Sequence, residues 1–176
     1  MSAEMKQNIA ATLSRMLATQ SIDKITVTHL VEECNISRQT FYYHFQDIID
    51  VVEWIFIQTL ESVLAESMKS YDPDTSLRKL VHAFHEAGPY LKNLLETQRR
   101  DQVEAILFHN LNLYLEKMVL FDCPDIDPTT KNFRLVLDYH THALLGILCN
   151  RAVMKHVDEE LLAKQLRGIY RGDLKL

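Results

Sequence analysis

A chain of 176 residues can bury a substantial core, and only four glycines, four prolines and 47 % hydrophobic residues point to an all-α protein. A net charge of −5 disfavours a protein that grips any polyanion by charge alone. No apolar run reaches the ~18–20 residues of a membrane helix, and three scattered cysteines, Cys34, Cys123 and Cys149, with no CxxC pair and no signal peptide, read as cytoplasmic.

Residues 3–20 place Met5, Ile9, Leu13, Met16 and Leu17 on one stripe, which predicts an amphipathic first helix. Ser21-Ile22-Asp23-Lys24 is the turn after it. From Thr26 to Phe45 the helical period breaks once, at Asn35, and the stretch reads as a helix-turn-helix. Thr26 can cap the first short helix, whose apolar face is Leu30, Val31 and Cys34. Asn35 tolerates left-handed backbone, Ile36 folds back as an apolar clamp, and Ser37 caps the next helix. There Phe41 and Phe45 share a face. At ~100° per residue, Gln39 and Tyr43 fall on the opposite side, with Thr40 and Tyr42 on its flanks. Arg38 and Gln39 stand in the first turn, where they can make the paired hydrogen bonds that guanine and adenine offer in the major groove.

Asp47 can cap a long helix to about Ser70, apolar almost all round, which other helices must therefore cover. Tyr71-Asp72-Pro73-Asp74 breaks the chain, and a helix carrying Leu77, Leu80, Val81 and Phe84 runs on to Gly88-Pro89. Helices are expected over Tyr90–Glu96 and from Asp101 to about Leu120, then a loop over 121–128. The last two run from about Thr129 to Met154 and from Asp158 to Tyr170. The first of these has an inward stripe of Phe133, Val136, Leu137 and Leu144, and Leu135, Leu145, Leu148 and Cys149 on other faces. The final helix has a stripe of Leu162, Leu166 and Ile169. One core cannot hide them all, so a homodimer through these two helices is expected, and its two heads would read half-sites ~34–36 Å apart or a multiple.

The block Thr26, Ser37-Arg38-Gln39-Thr40, Phe41-Tyr42-Tyr43-His44-Phe45 resembles the TetR family of bacterial transcription regulators. The resemblance covers about the first quarter of the chain and implies a helix-turn-helix DNA-binding domain over 1–46 and a helical effector-binding and dimerisation domain over 47–176, about nine helices in all. It implies a repressor, controlled by a small molecule through the helix that begins near residue 47. One departure is Ile48, where the family often has a phosphate-binding lysine. The run Gly146-Ile147-Leu148 to Arg151, then Asp158 to Gly172, is similar to the branch of dihydroxyacetone-kinase regulators, where a protein co-regulator can replace the small ligand and the outcome can be activation.

On this reading Arg38, Gln39 and Tyr43 meet bases of a pseudo-palindromic operator, while Thr26, Thr28, Ser37, Thr40, Tyr42 and His44 hold phosphates. Lys6 and Arg15 read as solvated surface charges before they read as phosphate contacts. Tyr90, Phe108, Asn112, Tyr114, Phe133, Tyr139 and His140 are the aromatic and polar candidates for an effector pocket, against the plainer reading of a satisfied core. His82 and His85 share a helix face without further ligands at a recognisable spacing, so no metal and no cofactor are expected. No nucleophile elbow, phosphate-cradling glycine loop or paired-carboxylate motif supports an enzyme.

Overall fold

The computed structural model describes residues 2–70, 72–154 and 156–171. In chain order it forms α1 (Ser2–Leu17), a 3-10 turn (Ile22–Lys24), α2 (Val27–Glu33), α3 (Arg38–His44), α4 (Ile48–Ser70), α5 (Pro73–Glu86), α6 (Gly88–Leu95), α7 (Arg100–Asp122), α8 (Lys131–Ala152) and α9 (Glu159–Arg171). The described residues thus make nine α-helices and no strand.

Hydrogen bonds at the helix ends set the boundaries. The first helix stops at Leu17, short of the expected residue 20, because the amides of Thr19 and Gln20 both turn back to the Met16 carbonyl at 3.1 Å. Asp47 caps α4 by accepting from the Asp50 amide at 2.9 Å, and the Asp50 carboxylate reaches back to the Gln46 amide at 2.8 Å. Asp72 caps α5 through the Thr75 amide and hydroxyl, which hold its carboxyl below the usual carboxylate range. Tyr71, part of the expected break, lies outside the described residues. Thr130, rather than Thr129, caps α8 by accepting from the Phe133 amide, while the Thr129 amide and hydroxyl bond Asp127.

The chain divides into two compact units, residues up to 58 with 89–107, and residues 59–88 with 108 onward. This division does not coincide with the boundary expected at residue 46. Polar contacts explain why α6 and the start of α7 belong with the head. The Asn93 side chain donates to the Leu17 carbonyl at 2.7 Å, satisfying an acceptor that the end of α1 leaves open. Asp23 accepts from the Thr97 hydroxyl at 2.7 Å and the Gln98 amide at 3.1 Å, and these bonds depress its pKa. Within this unit α1 packs on α2 and α2 on α3, and Ile9, Leu13, Leu17, Leu30, Phe41 and Leu91 are buried.

In the second unit α5 packs against α8 and α9. The buried stripe of α8 is Leu137, Thr141, Leu144, Leu148 and Ala152. Two expectations are corrected here: Val136 is exposed, whereas Leu148 is buried. Val136 lies one residue, ~100°, off a stripe that steps by fours and threes from Leu137, and Leu148 lies on it. The buried residues of α9 are Leu162, Ala163 and Leu166, and Ile169, expected on that stripe, is exposed. At Gly88 a Cβ would stand 2.1 Å from the Ala152 carbonyl oxygen, so only glycine lets the backbone at residue 88 approach the end of α8.

Candidate nucleic-acid interface

Two helices of seven residues each are too short to hold themselves, so caps and anchors define the helix-turn-helix. Thr26 accepts from the His29 amide at 3.2 Å and starts α2. Asn35, with φ of 53°, ends it in left-handed backbone. The Ile36 amide returns to the Val31 carbonyl at 3.0 Å and the Asn35 amide to Glu32 at 3.1 Å, the pair of bonds that closes a Schellman turn. Ser37 then accepts from the Thr40 amide at 3.0 Å and starts α3.

Phe41 is fully buried at 0 % exposure, and Phe45, just past the end of α3, is buried beside it with ring centroids 6.0 Å apart. Trp54 of α4 meets the Phe45 ring edge-on at 6.1 Å. That contact spans two elements, and no sequence spacing announced it. Lys6 stands over the Phe45 ring at 5.2 Å, a cation–π placement.

Fixing Phe41 inward turns Gln39 and Tyr43 outward, and Tyr43 is 81 % exposed. Arg38, Tyr42 and Ser37 are exposed, and Thr40 and His44 are half-buried. Thr26 is exposed and Thr28 half-buried on α2 and its cap. The nine expected contact residues therefore lie on one short segment with at least part of each in solvent. Thr26 and Ser37 use oxygen lone pairs as caps, which leaves hydroxyl chemistry for a neighbour; Ser37 and Thr40 oxygens are 2.8 Å apart. The Arg38 guanidinium Nη2 donates to the Thr28 hydroxyl at 2.5 Å. Ile48, which stands where the resembled family often has lysine, is buried and offers a phosphate nothing.

The expected effector residues scatter. Tyr90 belongs to the first compact unit, and the other six to the second. Asn112 spends both amide protons on Asp138 and Thr141, each at 3.0 Å. Tyr114 is buried, which pushes its hydroxyl pKa up against a hydrogen bond from Ser67. Phe108 packs against His142 at 4.3 Å and His140 against Tyr170 at 5.0 Å, both pairs with tilted rings. Phe133 is half-buried under the Arg134 guanidinium, and Tyr139 is 68 % exposed, directed to solvent. Beside it on α8, Leu135 is 70 % exposed and Val136 is exposed too.

His82 and His85 both face Glu159 of α9, at 2.9 and 3.9 Å, a three-way contact between α5 and α9. Among the described residues no group of three or more His, Cys, Asp or Glu is arranged to hold a metal ion. No described helix is long and apolar enough to cross a membrane.

No family model matches the sequence, and no curated protein matches it. Solved structures do share its architecture. The dihydroxyacetone kinase operon activator DhaS superposes with a TM-score of 0.71 at 17 % identity, over 96 % of this chain and 94 % of its own. This chain shares the all-helical fold of that regulator. The fatty acid degradation regulator FadR from Bacillus halodurans superposes with a TM-score of 0.60 at 18 % identity, over 97 % of this chain and 96 % of its own.

Proposed function

We propose that the protein is a TetR-like, DNA-binding transcription regulator, with residues 1–46 as the DNA-binding domain and 47–176 as the effector-binding and dimerisation domain. The observation that carries this reading is the polarity of α3. Its phenylalanine anchor is buried, while Arg38, Gln39 and Tyr43 present two planar hydrogen-bonding groups and a phenol to solvent. Thr26, Thr28, Ser37, Thr40, Tyr42 and His44 surround them with groups suited to phosphate oxygens. The fold likeness to two regulators supports the same reading. With a net charge of −5, specific contacts rather than bulk attraction must supply the affinity.

The second half of the proposal is a homodimer. Leu135, Val136 and Tyr139 leave an apolar strip on α8, followed on the exposed side by Ala143 and Gly146, where a second helix can come close. Leu161 and Ile169 leave apolar side chains in solvent on α9. A helix pair from each of two chains would cover these residues and would set two recognition helices for a pseudo-palindrome.

For the input, a small molecule among Phe108, Asn112, Tyr114, Phe133 and His140 would make the protein a repressor released by its ligand. A second reading, activation with a protein co-regulator, is favoured by the likeness to an operon activator. It also fits the internal pairing of the Asn112 amide, which leaves that group no proton for a ligand.

Gel-shift titration against duplex DNA from upstream of the protein's own gene tests the core claim. A Gln39→Ala, Tyr43→Ala double variant is expected to bind about 10- to 100-fold more weakly, the loss of one or two base contacts. Unchanged affinity removes the assignment.

A further inference from the structure

We infer that Thr28 is a positioning residue for Arg38, and that its contribution to operator binding passes through the arginine rather than through a phosphate of its own. The inference rests on the DNA-binding reading above and narrows it.

Arg38 is the first residue of α3, and Thr28 the second of α2. Their bond, Arg38 Nη2 to Thr28 Oγ1, joins residues ten apart on different helices, so helical spacing does not create it. It exists because the Schellman turn at Asn35 and the buried Phe41 hold the two short helices in one arrangement. An arginine side chain free in solvent loses many rotamers when it enters a groove. One already tied to its neighbour has lost part of that freedom in the free protein.

The chemistry of the tie suits base reading. A guanidinium has five N–H groups in a plane, and Thr28 takes one from Nη2, so a pair of parallel donors remains for guanine O6 and N7. The holder is a neutral hydroxyl, so the cation keeps its full charge for the nucleic acid. A carboxylate in the same place would orient the arginine and cancel it.

A double-mutant cycle on the full-length chain separates the two roles of Thr28. The probe is the tightest duplex that the wild-type protein recovers from a random-sequence pool, with every variant checked for helix content and melting temperature. Thr28→Val is expected to weaken binding about 2- to 12-fold, the worth of pre-ordering one long side chain, and to flatten the guanine preference at one base pair per half-site. Thr28→Ser restores both. In an Arg38→Ala background Thr28→Val costs nothing further. An equal cost with and without Arg38 shows that the hydroxyl acts by itself and overturns the inference while leaving the DNA reading intact, as does wild-type binding by Thr28→Val. Recovery of no duplex by the wild-type chain overturns both.

Discussion

The third and eighth helices are built by one rule and present opposite chemistries. Each hides a stripe and leaves tyrosine in solvent, Tyr42 and Tyr43 on α3 and Tyr139 on α8. On α3 the tyrosines stand beside Arg38 and Gln39. On α8 the neighbour in the exposed strip is leucine or valine. Exposure of an aromatic ring therefore says little about its partner until the adjoining side chains are read. Donors and a cation suit base edges and phosphates; methyl groups suit another protein surface.

Removing the anchor of each helix is the severest way to break that comparison. Phe41→Ala is expected to cost about 3–5 kcal/mol and Leu144→Ala about 2–5 kcal/mol, the range for emptying a fully buried site. Urea unfolding followed by circular dichroism measures both. The larger loss belongs to α3, which is seven residues long and has Phe41 as the buried residue within it, whereas α8 spreads its burial over five positions.

Next in size is Gly88→Ala. The new methyl meets the Ala152 carbonyl, a backbone atom that cannot rotate away, so the backbone at residue 88 or the end of α8 must move. An overpacking cost of about 1–3 kcal/mol is expected in the same measurement. A neutral result would mean that this close approach is not maintained in solution.

Substitutions on the two outward faces should separate cleanly from stability. Leu135→Ser with Tyr139→Ser is expected to change the unfolding free energy of the isolated chain by less than about 0.5 kcal/mol per site. Sedimentation should nevertheless show the proposed dimer weakened. Retention of the dimer would move the interface elsewhere.

The smallest effect is electrostatic and belongs to the head. Bonds from Thr97 and Gln98 lower the Asp23 pKa below its unfolded value, so Asp23 stabilises the fold at pH values above the carboxylate range. That contribution fades as pH falls through the depressed pKa. Asp23→Asn should therefore melt below the wild type near neutrality and converge with it in acid, as followed by melting temperature against pH. A gap that persists in acid would assign the residue a role other than its charge.

Local rules made the helix-turn-helix legible. Asn35 and Ser37 act on residues within five positions of themselves, and Phe41 and Phe45 pair at a spacing of four, so caps, left-handed turns and shared helix faces are written at that range. The α8 surface was legible only in outline, since Val136, expected beside Leu137 on the stripe, is exposed, and Leu148, expected on another face, is buried. Asn93 on Leu17 and Asp23 on Thr97 were invisible, because their partners lie more than seventy positions away. The scatter of the expected pocket residues has the same origin. Tyr90 and Tyr139 are aromatic in the right helices, yet one belongs to the other compact unit and the other faces solvent.

The amino-acid order alone determined the order of the helices, their ends to within a few residues, and which side of α3 is apolar, because these depend on contacts within one or two turns. Tertiary structure decided which face of α8 is covered, why residue 88 must lack a side chain, and that Thr28 holds Arg38. Those outcomes depend on atoms brought together from separate helices, and a linear pattern does not encode which helices meet.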